Sequence, residues 1–427
     1  MINKESIYLF LIASAMIGVA ISYSNLYLFH IMLFIFAIVQ IFLLKKNDFK
    51  LKFNFLKDGN TLFLLLMFIW YSFTLLWVDD YVYGIKYIFY IFCGISIASL
   101  IINYSIEVSK LNKLLNVLSI LLIFELIISL IETFTSFRMP ISSYSSVSSY
   151  FGKTPPEIYS YQSILLLSEF KPPTGFHWNT NDLAIKMVIA LPFFLCSKKP
   201  YIKIIGLISI FTIIGMSASR AVFLGLVLIF CLYLILIKKR VFTLLWIWIA
   251  TITLFFSINQ LRDSENPRIN ELANSIEALK LYIRGDLDVG GSIEWRRELV
   301  DNGIKAFYGS YGLGLGAGGS TANQEKIGPV AGRFTSMHNF WVEILVEGGL
   351  FFAVLMFFWY SNLVYRLLII SRSVKNEKLS YYSQSLLLSM LAFIPSAVAA
   401  SSTIYLFPMW IMFGLSISTI NLSRKEC

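Results

Sequence analysis

The feature that most limits what this chain can become is a succession of apolar runs, each about as long as a bilayer's hydrocarbon layer is thick. A helix needs about 17 to 25 apolar residues to cross ~30 Å of hydrocarbon. Twelve stretches of that order follow one another, near residues 6–23, 26–44, 61–78, 83–102, 114–133, 181–197, 201–218, 221–237, 241–258, 346–369, 382–400 and 402–420. Backbone polar groups cannot be left unpaired in lipid, so runs of this kind are helices. Composition agrees: 57% of the 427 residues are hydrophobic and only 14% are charged, against about a quarter charged in soluble domains. The expected fold is an all-α, polytopic membrane protein with about twelve transmembrane helices.

The formal charge of +10 does not indicate a nucleic-acid partner, because the basic residues lie in short runs between apolar segments. Lys45 and Lys46, Lys110 and Lys113, Lys198 and Lys199, Lys238 to Arg240, Arg366 and Arg372, and Arg424 and Lys425 all fall on one side if the helices alternate. By the positive-inside rule that side is cytoplasmic, which puts both termini inside. Two long polar stretches then lie outside, 134–180 and 259–345. The second carries nine Lys/Arg against ten Asp/Glu over residues 259–338, as suits an exported loop. The expected organisation is residues 1–258 as nine helices with an external loop at 134–180, residues 259–345 as an external helical loop domain, and residues 346–427 as three helices and a cytoplasmic tail. Within the loop domain, Asn266-Pro267 opens one amphipathic helix and a second starts after Ser292. The loop around Ser142 to Tyr161 shows no period. Cys93, Cys196, Cys231 and Cys427 avoid the polar loops, so neither disulfides nor a cysteine metal site is expected.

Several residues at the predicted external helix ends could carry chemistry. Arg220, in Ser217-Ala-Ser-Arg220, is a cation that orientation does not require. A guanidinium suits phosphate, but a snorkelling side chain or structural ion pair accounts for it as well. Arg296 and Arg297 are neighbours on a helix, so one faces inward and the other water. Gly312-Leu-Gly-Leu-Gly316 either brings backbone N–H groups to a phosphate or forms a tight turn with positive φ. His177 lies in Thr174-Gly-Phe-His-Trp-Asn179-Thr-Asn181-Asp182, where Asn179 or Asn181 caps the following helix. Glu125 and Glu132 share a helix face, and structural pairing with Lys86 or Lys186 is the preferred reading. His338 begins His338-Asn339 with Glu343, Glu347 and Gly348-Gly349, at the mouth of a helix expected from residue 346. The acidic pair there is either a solvated first turn or something kept for function. No metal ligand set is read from the sequence.

In order and spacing, Leu76-Trp77, Thr174 to Ala184, Ser217 to Arg220, Ser292 to Arg296, Gly312 to Gly316 and His338 to Gly349 resemble the O-antigen ligase and O-antigen polymerase superfamily. One departure is Phe352, where the family often has a second glycine three residues after the position of Gly349. The resemblance implies an enzyme without cofactor or metal that takes a glycan from undecaprenyl pyrophosphate at the external face and joins it to an acceptor sugar with inversion. His338, Arg220 and Arg296 would be catalytic. Arg297, Asn339, His177, Asn181, Gly314 and Gly316 would bind substrate. The implied partners are the lipid-linked oligosaccharide, membrane lipid and a chain-length regulator. Membership as a polymerase of repeat units is favoured on composition, with a ligase acting on lipid A-core as the alternative. A polysaccharide flippase or secondary transporter is the alternative from another class, opposed by the mass in the external loops and by the lack of matching broken helices.

Overall fold

The computed structural model describes residues 4–45, 58–154, 172–217, 219–240, 291–331 and 334–426. The expected helix at 241–258 and the amphipathic helix after Pro267 lie outside these residues. The rest is mostly helical: α1 (Lys4–Ile17), α2 (Leu28–Lys45), α3 (Gly59–Phe73), α4 (Tyr81–Tyr104), α5 (Val108–Phe134), α6 (Thr180–Leu195), α7 (Pro200–Ser217), α8 (Arg220–Leu232), α9 (Gly291–Gly309), α10 (Gly319–Ile327), α11 (Phe340–Ser373), α12 (Glu377–Ser396) and α13 (Phe407–Glu426). A two-stranded antiparallel hairpin, Ser22–Tyr23 with Leu26–Tyr27, joins α1 to α2. Eleven of the twelve apolar runs are therefore helices. Among the described residues, six helical segments are long and apolar enough to cross a membrane, Gly59–Leu76, Tyr81–Tyr104, Val108–Phe134, Pro200–Ser217, Arg220–Ile237 and Phe340–Ser373, and two apolar helices, Glu5–Ala20 and Leu28–Gln40, are shorter. The count of twelve crossings is thus supported only in its coarser form, a multi-pass helical protein.

The core is organised around α13, which is buried along nearly its whole length. It meets α4 at unusually short range, because Gly94 lies under the Trp410 ring and Gly414 comes within 3.0 Å of the Ala98 Cα measured from where its own Cβ would stand. Small residues permit this backbone approach, the usual device of helix packing in lipid. Against the same core pack α6 and α8 through α12, and α3 through α11.

Ion pairs sort the helix ends. Glu5 lies 3.7 Å from Lys110 and 3.2 Å from Lys113, Asp58 pairs with Arg424 at 2.7 Å, and Lys198 with Glu377 at 2.7 Å. The ends of α1, α3, α5, α7, α12 and α13 that bear these residues therefore gather at one end of the bundle, with both chain termini. The hairpin, the α3–α4 turn, the described parts of the 134–180 loop, α9 and α10 gather at the other. Here α9 is not detached from the bundle. Its Phe307 joins Met337 and Val346 in a small apolar cluster of its own with α11, and Lys326 of α10 reaches Asp79 at 2.8 Å.

Candidate active site at one end of the bundle

The helix expected from residue 346 begins earlier, at Phe340, with Asn339 as N-cap: its Oδ1 accepts from the Val342 N–H at 3.3 Å. It then breaks at Gly349, whose φ of 79° and ψ of 170° are not helical. The break frees carbonyls, and the glycine loop takes them. Leu315 N–H donates to Val346 O at 2.8 Å, Gly316 N–H to Glu347 O at 3.0 Å, and Leu350 N–H to Gly312 O at 3.0 Å. Two tryptophans of the α3 end clamp the same place, Trp70 donating to Gly348 O at 2.8 Å and Trp77 to Gly314 O at 3.0 Å. A Cβ on Gly314 would stand 2.5 Å from Gly349 N and 2.6 Å from Glu347 O. Glycine is required at Gly314 by both the space and a φ of 87°.

These contacts revise the expected substrate role of Gly314 and Gly316. The N–H of Gly314 goes to Ser310 Oγ at 3.0 Å and that of Gly316 to Glu347 O. The tight turn, not a phosphate cradle, is the reading that fits. Glu343 and Glu347 are likewise not a solvated turn, since they are 3% and 1% exposed. Glu347 accepts from Ser320 Oγ at 2.6 Å and from Gly318 N–H at 3.2 Å, so it caps α10. Glu343 accepts from Ser402 Oγ at 2.6 Å, tying α11 to the segment between α12 and α13. The departure at Phe352 is filled rather than empty: its ring is buried and stacks on Phe63, centroids 5.8 Å apart.

His338 precedes this helix in a left-handed conformation, φ 49°, which His tolerates better than most residues. Its N–H donates to Ser401 O at 3.2 Å, and its ring meets Phe334, which in turn meets Trp295 of α9. Arg296 follows Trp295 in α9, and its charge reaches the imidazole. Burial first, and the Arg296 charge second, lower the His338 pKa from 6.5 to about 4. Arg296 is itself lowered, by burial and then by Arg220. The three residues proposed as catalytic thus act on one another electrostatically, although they come from three separate segments. The imidazole is neutral at pH 7, and its Nδ1 is buried without a hydrogen-bond partner among the described residues. Arg297 points the other way, exposed and 3.7 Å from Asp301 one turn on.

His177 lies elsewhere at the same end. Its turn hangs on the two carboxylates of α5: Glu132 accepts from Thr174 and Gly175 N–H at 2.8 and 2.7 Å, and Glu125 from Phe176 N–H at 3.3 Å. Glu125 also pairs with Lys186 at 2.6 Å and approaches His177 Nε2 at 3.4 Å. Structural pairing is therefore the role of this acidic face, with Lys186 and not Lys86. Burial and the Lys186 charge keep His177 well below its ordinary pKa. Asn179, rather than Asn181, caps α6, accepting from Asp182 N–H at 2.9 Å. A cavity of about 440 Å³ opens beside this turn, lined among others by His177, Asn179, Asp182, Lys86, Lys153 and Ser401. Sequence reading missed Lys153 and the 401–408 segment, because neither carries a motif; only the fold brings them to the cavity.

Residues 205–358, which hold both the arginine pair and His338, match the family model described as O-antigen ligase. The described fold is that of a multi-pass helical protein, and over this stretch the chain is similar to the O-antigen ligase family. The chain is similar to the teichuronic acid biosynthesis protein TuaE of Bacillus subtilis (strain 168), 25% identical over 424 residues that cover 97% of this chain and 82% of the relative. No solved structure matches.

Proposed function

We propose that this protein polymerises lipid-linked oligosaccharide repeat units, moving a glycan from undecaprenyl pyrophosphate to an acceptor sugar, without metal, at the external face of the plasma membrane. The observation that carries the reading is the electrostatic influence of Arg220 on Arg296 and of Arg296 on a neutral His338, whose buried Nδ1 has no hydrogen-bond partner among the described residues. The acceptor hydroxyl attacks the anomeric carbon as its bond to the pyrophosphate oxygen breaks. The hydroxyl proton passes to His338, and the lipid pyrophosphate leaves as an anion beside the two guanidinium groups. Attack opposite the leaving group inverts the anomeric centre.

The electrostatics support this division of labour. A guanidinium pair aimed at growing negative charge is the kind of preorganised stabilisation that gives large rate effects. An anion bound at Arg296 also offsets the charge that disfavours imidazolium, so donor binding strengthens His338 as a base. A relative named for the biosynthesis of teichuronic acid favours polymer building over attachment to lipid A-core. The test is purified protein in lipid with lipid-linked repeat units as both donor and acceptor. A ladder of lengthening chains, undiminished by a chelator, is expected. Product only when lipid A-core is added would make the protein a ligase, and movement of the lipid across the bilayer without new glycosidic bonds would make it a flippase.

A further inference from the structure

The cavity beside His177 has more positive charge than a neutral sugar can use. Its volume of about 440 Å³ falls within the ~300–1,000 Å³ of ordinary ligand pockets, and its walls alternate aromatic faces, Tyr27, Trp178 and Tyr405, with the polar Asn25, Asn179 and Ser402. Such a lining offers stacking and hydrogen bonds, which is what a carbohydrate ring requires. Lys86 and Lys153 add two cations. The opposing charge is Asp182, and its Oδ2 already accepts from the Asn179 amide at 2.8 Å; His177 is neutral. Lys153 is half-buried, its Nζ 5.6 Å from the Tyr27 ring centroid and 5.8 Å from that of Trp178, and it donates to the Ser24 carbonyl. Lys86 is exposed and forms no ion pair among the described residues. A lysine held between two rings is partly stripped of water, and an anion arriving there is repaid more than at an open surface.

We propose that this cavity is a subsite for an acidic sugar of the glycan, with the sugar carboxylate taken by Lys86 and Lys153 and the sugar ring stacked on Trp178. The inference rests on the glycan-transfer reading and names the substrate class of its acceptor side. The link to chemistry is short. Ser401 lines the cavity, and its carbonyl accepts from the His338 N–H at 3.2 Å, so one segment borders both the sugar and the base. Phosphate chemistry has its own cations, Arg220 and Arg296, outside the cavity lining.

The full-length protein in lipid nanodiscs would be titrated with the methyl glycoside of a hexuronic acid and with that of the matching neutral hexose, following binding by saturation-transfer NMR. The acidic glycoside should bind about tenfold tighter, a difference of about 1.4 kcal/mol. Lys86→Gln and Lys153→Gln should each reduce that preference while leaving the neutral glycoside unchanged, and Arg220→Ala and His338→Ala should keep it. Because Lys153 also holds the Ser24 carbonyl, Lys86→Gln decides the matter if Lys153→Gln does not fold. Equal affinity for the two glycosides, or a preference that survives Lys86→Gln, overturns the proposal. So does competition by inorganic pyrophosphate at equal strength, which would assign the cavity to the leaving group. None of these measurements needs turnover, so absence of a polymer ladder would sink the polymerase reading and leave the subsite standing.

Discussion

Replacing Arg296 by Gln separates its two suggested duties. The imidazole of His338 falls from 6.5 to about 4, with burial as the larger cause and Arg296 as the next, a cost of about 3 kcal/mol against protonating it in the folded protein at 1.36 kcal/mol per pH unit. In the wild type, kcat/KM for transfer should therefore stay flat on acidification from pH 7 until near pH 4, because that ratio reports the free enzyme's base. Arg296→Gln removes the neighbouring charge but not the burial. Its acid limb should move upward, to lie between pH 4 and pH 6.5, while the rate at pH 7 drops by about 10²- to 10³-fold for the lost leaving-group donor. The assay is chain-ladder formation in lipid across that pH range, at donor concentrations well below saturation so that kcat/KM refers to the free protein. An acid limb that does not move, or that moves downward, would refute the coupling of Arg296 to His338. A limb already near 6.5 in the wild type would refute the burial argument.

Three other outcomes follow from the geometry. His338→Ala should slow transfer by about 10²- to 10⁴-fold with donor binding retained, whereas Arg297→Ala should be nearly silent, since an exposed pair one turn apart contributes only about 0.3–0.5 kcal/mol; binding and transfer rates of the two variants check both. Gly349→Ala forces a side chain into left-handed φ and against the Leu313 carbonyl, a backbone cost of at least about 1–2 kcal/mol, and should lower the thermal unfolding midpoint of detergent-purified protein. Single cysteines at Tyr311 and Lys375, in an otherwise cysteine-free chain, should label with an impermeant reagent from opposite faces; labelling of both from one face would contradict the alternation of helices.

What was legible in the sequence was whatever repeats along a helix or punctuates its end. Apolar runs located eleven described helices, and the stray cation Arg220, which orientation alone did not explain, acts electrostatically on Arg296. Successive placement of Arg296 and Arg297 gave one half-buried and one exposed guanidinium. The glycine loop misled because its pattern is the same whether its amides go to a phosphate or to carbonyls freed by a broken helix, and only the fold supplies the break at Gly349. Similarly, Glu343 and Glu347 look like a solvated first turn until the helix is seen to begin at Phe340, six residues before the expected start. The 440 Å³ cavity was out of reach. It is assembled from the hairpin, two loops and the four helices α1, α4, α6 and α13, and proximity across such distances in the chain leaves no periodic trace.

The charges at this end of the bundle divide by role, and the division explains why acids and bases crowd there together. Glu132 is consumed by the backbone of Thr174 and Gly175, Glu125 by Lys186, and Glu347 by the start of α10. Each carboxylate thereby holds in place a turn or helix that would otherwise leave buried N–H groups unpaired, at about 1–3 kcal/mol apiece. Lys86 and Lys153 enter no ion pair among the described residues, and with Arg220 and Arg296 they bring positive charge to this end of the bundle. A field of that sign, set among low-dielectric walls, draws anions to the site. In the proposed transfer, that charge keeps His338 free of its proton in the resting protein, and an anionic donor arriving at Arg296 raises its basicity.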